Sequence, residues 1–429
     1  MRFNRQLWPL GLAAVALAAM PFASRAQDKA AARTTPPSPP SAAPSPVEGW
    51  DELIESLRTL PGRMLERLPA EARADPQVRQ EVGRLALEAL ATSAIEAIGA
   101  DGDAPVFLPS IGQVLNVGQP NADTVYKTAN IKPGESYRIT GRQGTATLAV
   151  IAQVVPGSND RPHLDLSTLR LDGEGRFDVL VAPEKPAGHA GDFWQLSPQA
   201  TRLMLRIVEA DWSREVQPTI AIERVGAPMG RPRLSAADLE ARLRALPKAT
   251  DFIALLFVAR VQSLADEGYV NKFKVMVPPE GALASQFYYD GVYDLADDEA
   301  LIVESPVPAT CRYRSLILTN ALYETTDWTN NHSSLNAAQA APDSDGKLRI
   351  IVSAKDPGVK NWLDTAGYPR GIIQGRWTGC DSQPIPSTRK VKLKDLMKAL
   401  PRDVATVTPD ERQQIIRERS RAYQQRALW

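Results

Sequence analysis

One stretch of this chain occurs twice. DGEGRFDVLVAPEKPAG (172–188) resembles SDGKLRIIVSAKDPGV (344–359), Trp194 answers Trp362, and Arg206 answers Arg376. The separations stay between 168 and 171 residues. Each copy runs through a Gly turn, a strand, a Pro-Gly corner, a tryptophan and a strand ending in arginine. A separation kept over several features marks a duplicated structural unit. The unit is a β one, because the surrounding hydrophobic period is two. Ser136–Thr140 alternates, Gly141 and Gly144 mark a turn, and TATLAVIAQVV (145–155) reads as a buried strand. Further strands are expected at 177–181, 201–208, 219–224, 299–304, 312–319, 348–353 and 372–378. Many short strands with Gly- and Pro-bearing turns suggest sandwiches or jelly rolls. The expected fold is therefore mainly β with flanking helices (α+β): two tandem jelly-roll-like antiparallel β-sandwiches, at 101–228 and 269–395, joined by a helical insert at 229–268.

Helical spacing appears outside the two β regions. Trp50, Leu53, Ile54 and Leu57 stripe one helix that Pro61-Gly62 should end, and Val78, Val82, Leu85 and Ala89 stripe a second, within an N-terminal helical region at 48–100. In the insert, Ser235 and Asp238 resemble a capping box before Leu239, Leu243 and Leu246, and Thr250 is placed to cap a second helix over FIALLFVARVQSLA. The C-terminal helical region, 396–429, holds a helix starting at Thr408-Pro-Asp-Glu411, another capping box. Arginines 417, 419, 421 and 426 crowd its later half and read as a solvated face; Ile416, Tyr423 and Ala427 should face inward.

The N-terminus has the layout of a secretory signal. Arg2 and Arg5 precede an apolar run from Trp8 to Phe22, and small residues favour cleavage after Ala26. The run is short for a membrane span, so no membrane insertion is expected after cleavage, and a periplasmic or secreted location follows. Residues 27–47 are rich in Pro, Ala and Ser and read as a disordered spacer. Cleavage would remove three arginines and no acid from a chain with 50 basic and 50 acidic residues, giving a net charge of −3. That balance argues against nucleic acid as a partner. Cys311 and Cys380 can pair in an oxidising compartment or sit as two separate buried thiols. With no CxxC or HxxxH spacing, no metal site is expected; without a Walker-type loop or dinucleotide fingerprint, no cofactor is expected either.

Most candidate site residues lie between Tyr323 and Trp377. His332 follows Asp327 closely and precedes Ser333 and Ser334. A histidine oriented by an acid could activate a hydroxyl or a water, so His332 and Asp327 are the candidate catalytic pair. No G-x-S-x-G elbow accompanies them. Tyr323, Trp328, Asn330, Asn331, Asn361, Trp362 and Arg376, with Tyr368 and Trp377, offer flat rings beside amide and guanidinium donors. Such a set suits a saccharide-like or other small polar ligand. Equally, tryptophans in a sandwich serve as core, and Asn361 can tie down a corner. Asn121, Asp123 and Tyr126 could complete a site from the first half, or form an Asx-type turn opening a strand.

Several stretches resemble a known family. VGQPNADTVYKTANI, SYRITGRQGTA, ADWSREVQPTIAIERVGAP, GVYDLADDEALIVE, NNHSSLN and DPGVKNWLDTAGYPRGIIQGRW are similar to bacterial proteins carrying the domain of unknown function numbered 1214. They cover most of residues 105–385, in the right order. The resemblance implies a jelly-roll-like sandwich, fits the C-terminal half better than the N-terminal half, and supplies no catalytic residues. In relatives the domain often follows one numbered 1254, which the N-terminal half here matches only loosely. Three functions stay open: a ligand-binding module, an esterase- or glycosidase-like hydrolase using His332 and a carboxylate, and a non-catalytic envelope component.

Overall fold

The computed structural model describes residues 44–158, 162–228, 230–276, 283 and 286–428. The signal and nearly all of the spacer, to residue 43, lie outside them. Nine strands build the first sandwich: β1 (Leu108–Pro109), β2 (Thr124–Asn130), β3 (Tyr137–Arg142), β4 (Leu148–Val154), β5 (His163–Asp165), β6 (Arg176–Ala182), β7 (Asp192–Gln195), β8 (Arg202–Val208) and β9 (Thr219–Arg224). Nine more build the second: β10 (Lys274–Val275), β11 (Gln286–Asp294), β12 (Glu299–Pro306), β13 (Cys311–Leu318), β14 (Ser334–Asn336), β15 (Lys347–Ser353), β16 (Trp362–Asp364), β17 (Arg370–Cys380) and β18 (Ser387–Lys392). The protein is mainly β with flanking helices, as the sequence pattern predicts.

The duplication is complete at the level of topology. The first sandwich has sheets ordered β1-β2-β8-β4-β5 and β7-β6-β3-β9. Adding nine to each strand gives the sheets of the second, β10-β11-β17-β13-β14 and β16-β15-β12-β18. Even the parallel pairs, β6 with β7 and β15 with β16, recur. The Gly turns match bond for bond: Gly175 N–H donates to the Asp172 carbonyl and Asp172 N–H to the Arg176 carbonyl, as Gly346 does to Asp343 and Asp343 to Lys347, and both glycines take positive φ, which costs a residue without Cβ little.

One sequence pairing needs correction. Leu180 and Ile351 are equivalent by the Gly turn, and they pair with Phe193 and Trp362. Trp362 therefore answers Phe193, and Trp194 answers Leu363. A one-residue slip moves a side chain to the other face, so Trp194 and Leu363 pack on the inner cores while Trp362 faces away. Arg206 and Arg376 do correspond: they oppose Tyr126 and Tyr288 in register, and each guanidinium lies over its tyrosine ring, at 5.9 and 5.6 Å.

Each core comes from alternate residues. Tyr137, Ile139, Val179, Val181, Leu203 and Leu205 fill the first; Tyr293, Leu301, Val303, Leu318, Ile350, Val352 and Trp377 fill the second. Burying such a side chain contributes about 1.5–3 kcal/mol. Tyr289 lies over Gly375 across the ladder, where a Cβ would come within 1.9 Å of the ring. Leu148, Val150, Ala152 and Val208 on the outer face of one five-stranded sheet pack with Tyr313 of the other. Cys311 and Cys380, paired in the β13–β17 ladder, are disulfide-bonded.

The helices are α1 (Trp50–Leu65), α2 (Ala70–Ala74), α3 (Pro76–Gly99), α4 (Ala236–Leu256), α5 (Arg260–Asp266), α6 (Leu396–Ala399) and α7 (Pro409–Gln424). Pro61, expected to end a helix, lies inside α1, and Pro247 lies inside α4. A proline there removes one backbone bond, but apolar residues on either side share a core. Leu60, Met64, Val82, Leu85, Ala89 and Ala254 pack α1, α3 and α4 together. Thr250 is accordingly buried within α4 and caps nothing.

The reading of the C-terminal arginines as a solvated face holds for Arg417 and Arg421, which are exposed, and fails for Arg419 and Arg426. Arg412, Arg419 and Arg426 are buried, spaced by seven residues, and Ala427 is exposed. Seven residues are nearly two helical turns, so Arg412 and Arg419 share a face of α7, and Arg426 follows just past its end. Arg412 bonds Asp356 and the carbonyls of Val359 and Lys360; Arg419 bonds the Trp328 carbonyl and the Ser334 hydroxyl. Arg426 reaches Glu209 and the carbonyls of Ala122 and Asp123 in the first sandwich. The α7 segment thus straps the second sandwich to the first.

Candidate functional site

A cavity of about 330 Å³ opens where α3 meets the loops of the second sandwich. Helix α3 contributes Arg84 and Glu88, four residues apart and hence on one face. The 110–117 segment contributes Gln113 and Asn116. Asn320, Thr325, Thr326, Asp327, Trp328 and Asn331 come from the loop after β13, and Ala366 and Tyr368 from the loop after β16.

The loop after β13 is held by its own amides. Asn320 Oδ1 accepts from the backbone N–H of Leu322 and Glu324, and its Nδ2 donates to Glu324 Oε2 at 2.6 Å. An asparagine side chain of this kind mimics a backbone turn. It lets Tyr323 adopt φ of 68°, with its ring stacked on Phe257 at 4.9 Å. Asn116 binds the Thr325 backbone twice, donating to its carbonyl at 2.7 Å and accepting from its N–H at 3.0 Å. Asp327 accepts from the N–H groups of Thr329 and Asn330 and from Gln113 Nε2. Ala366, on the rim, takes φ of 53°, a conformation that is costly for a residue with Cβ and found disproportionately at ligand sites.

Charge in the cavity is unevenly matched. Arg84 grips Glu324 with two bonds, Nε to Oε1 at 3.2 Å and Nη2 to Oε2 at 2.8 Å. Glu88 lies 3.8 Å from Arg84 Nε. Burial, and then the charge of Glu324, push the Glu88 carboxyl up to about 8, against a smaller opposing pull from Arg84. A carboxylic acid held neutral near neutral pH can donate a proton.

Of the residues singled out from sequence, Asp327, Trp328, Asn331 and Tyr368 line this cavity. The others lie elsewhere. His332 is 4 % exposed; its Nδ1–H donates to the Trp362 carbonyl and its ring stacks on Trp362. Burial and the charges of Arg419 and Arg412 lower its pKa to about 3. The hydrogen-bonding partners of its ring are that carbonyl and Arg412, while Ser333 bonds the Thr326 carbonyl and Ser334 accepts from Arg419. His332 and Asp327 thus make no catalytic pair here: the acid caps its own loop and the histidine is a buried neutral donor.

Asn361 ties a corner through the Ala341 and Arg349 carbonyls, and Trp362 Nε1 bonds Ser353. Asn330 is exposed and bonded to Asp327. Tyr323 and Arg376 are buried packing groups. Asn121, Asp123 and Tyr126 form a joint between the sandwiches. Asn121 Nδ2 and Asp123 Oδ2 both bond the Tyr313 hydroxyl, at 2.7 and 2.6 Å, and Asp123 Oδ1 accepts from Trp212 and Asn336. The sequence reading missed Arg84, Glu88, Gln113, Asn116 and Glu324. A trace of Glu88 was visible: it is the lone acid in LALEALA.

Among the described residues no group of three His, Cys, Asp or Glu side chains could hold a metal ion, and no helix is long and apolar enough to cross a membrane. Similarity to known proteins bears on the fold. A crystal structure of an uncharacterised protein from Burkholderia cenocepacia is 26% identical, covers 81% of this chain and 97% of its own, and superposes with a TM-score of 0.74. The VPA0106 protein from Vibrio parahaemolyticus is 12% identical, covers 73% of this chain and 99% of its own, and has a TM-score of 0.44. No curated protein matches the chain. Residues 293–370 match the family described as protein of unknown function DUF1214. That span lies in the second sandwich and carries Asp327 and Tyr368 of the cavity lining and Glu324, but not Arg84 or Glu88, so the similarity to DUF1214 covers part of one wall of the cavity and not the other.

Proposed function

We propose that the protein binds a small, hydroxyl-rich ligand, saccharide-like in its chemistry, in the cavity between α3 and the second sandwich. The observation that carries this is the composition of the wall. Arg84, Gln113, Asn116, Asn331 and Asp327 mix donors with acceptors, and Trp328 and Tyr368 add flat rings. A volume of about 330 Å³ is within the range of small-molecule sites. A hydroxyl both donates and accepts, so it suits a mixed wall better than an ion or an apolar group does.

The test is titration calorimetry of residues 27–429 against monosaccharides, sugar alcohols and short-chain organic acids, with Tyr368→Ala and Asn331→Ala alongside. Saturable binding of a polyol that both variants weaken supports the reading. Binding that neither variant changes removes the cavity as its seat.

Export belongs to the same proposal. The N-terminal sequence motivates it, and the Cys311–Cys380 bond suits an oxidising compartment. Fractionation of cells making the full chain, with N-terminal sequencing of the product, decides it: recovery of an uncleaved cytoplasmic chain would end it.

A further inference from the structure

Two carboxyl groups and one guanidinium meet where α3 faces the loop after β13: Arg84 and Glu88 line the cavity, and Glu324 is bonded to Arg84. Arg84 is committed to Glu324, which also accepts from Asn320 and whose side chain is 2 % exposed. Glu88 is left without a comparable bond. Its Oε2 is buried with no hydrogen-bond partner, Arg84 Nε is 3.8 Å from its other oxygen, and the pull of the nearby Asn116 backbone N–H is smaller than the opposing effects of burial and the Glu324 charge. One cation between two close carboxylates leaves one negative charge unmatched, and buried charges of that kind are neutralised by a proton. Among the described residues, the elements around Glu88 do not supply a second cation. Helix α3 offers Glu81 besides Arg84; the loop after β13 offers Glu324 and Asp327; the loop after β16 offers Tyr368, whose hydroxyl is itself pushed up by burial; the 110–117 segment offers the amides of Gln113 and Asn116.

We infer that Glu88 and Glu324 hold one proton between them, carried by Glu88, and that this neutral carboxyl selects an uncharged hydroxyl-bearing ligand over a cationic one. The selection rests on the ligand reading given above; the shared proton does not. With Glu88 protonated, the cavity presents an acidic O–H beside an already paired carboxylate, and an uncharged hydroxyl can accept from the one without meeting a free anion. An ammonium group finds no free counter-charge at that position. When Glu88 ionises the order reverses, because the donor is lost and an unpaired carboxylate appears. The pair stores a proton without forming or breaking a bond in the ligand.

The shared proton is tested without any ligand. Protein labelled with ¹³C at the glutamate carboxyl carbons is titrated by NMR from pH 5 to pH 10. One signal should move near pH 8, disappear in Glu88→Gln, and titrate at lower pH in Glu324→Gln, where the repelling charge is gone. Titration of Glu88 in the ordinary carboxylate range would overturn the inference, and the Glu324→Gln result decides it even if Glu88→Gln fails to fold. For selection, sorbitol and N-methylglucamine are compared as neutral and cationic probes by calorimetry at pH 6.5 and 9. Sorbitol should be preferred at the lower pH, and its affinity should fall about tenfold per pH unit above the transition. Glu88→Gln should keep that preference at both. Binding of sorbitol with no dependence on pH or on Glu88 overturns the selection. A signal moving near pH 8 with neither probe binding keeps the shared proton, and overturns selection and the hydroxyl-rich ligand reading together.

Discussion

Arg426 and Glu209 form an ion pair at 2.6 Å with side chains 1 % and 2 % exposed, and 217 residues separate them in sequence. The pair is the far anchor of the α7 strap. The guanidinium also donates to the Ala122 and Asp123 carbonyls and lies over the rings of Trp212 and Tyr423. Each of its three nitrogens thus has an acceptor inside the protein, and such added bonds help a buried pair to offset its desolvation.

Removing one partner should therefore cost more than the pair contributes. Arg426→Met leaves Glu209 buried without its cation, though still bonded to the Gln217 amide, and such truncations typically cost about 3–5 kcal/mol. Urea unfolding should show this loss, with a smaller loss for Arg426→Met combined with Glu209→Leu than for the sum of the two singles. Additive losses would mean that the two side chains do not act together.

His332 should make the fold sensitive to acid. Its folded pKa is lowered from 6.5 to about 3 by burial and by Arg419 and Arg412. Between those values the unfolded chain binds a proton that the folded protein refuses. The contribution is fully present above pH 6.5 and is lost as pH falls toward 3. His332→Gln should flatten the stability profile over that window. Polyol binding should not change, because His332 lies outside the cavity lining. A variant whose acid profile matches the wild type would place the sensitivity elsewhere.

Much of the fold was legible because its signals are local. Both capping boxes form with reciprocal bonds, Ser235 with Asp238 and Thr408 with Glu411. The Asp172–Gly175 and Asp343–Gly346 turns declare the duplication, since each turn needs its glycine. What failed depends on partners distant in sequence. The seven-residue spacing of Arg412, Arg419 and Arg426 could be read as a face, but only carbonyls and acids elsewhere in the chain decide whether that face is wet. The same holds for the cavity. Asp327, Trp328, Asn331 and Tyr368 sit in the polar loops that drew attention, whereas Glu88 sits on a helix whose pattern announces packing and gives no sign of the loops opposite.

The disulfide should contribute through the unfolded chain. Cys311 and Cys380 close a loop across a separation of 69 residues, and a cross-link of that span restricts the unfolded ensemble by about 4 kcal/mol in the loop-entropy description. Cys311→Ser with Cys380→Ser, or reduction of the wild type, should lower the unfolding midpoint. Neither treatment should move the Glu88 titration, because the cavity draws its walls from other loops. An unchanged midpoint would mean that the thiols are unpaired in solution.

Glu88 should give the opposite slope to His332. Its folded pKa is raised from 4.5 to about 8 by burial and by Glu324. Between those values the folded protein holds a proton that the unfolded chain has released. The stabilising contribution is fully present below pH 4.5, declines as pH rises, and is gone above pH 8. Glu88→Gln carries no such proton, so its stability relative to the wild type should rise steadily from pH 5 to pH 8.5. Urea midpoints at pH 5, 6.5 and 8.5 measure that difference. A constant difference would mean that Glu88 ionises alike in the folded and unfolded chains, as it would if Arg84 were shared equally between the two carboxylates rather than gripped by Glu324.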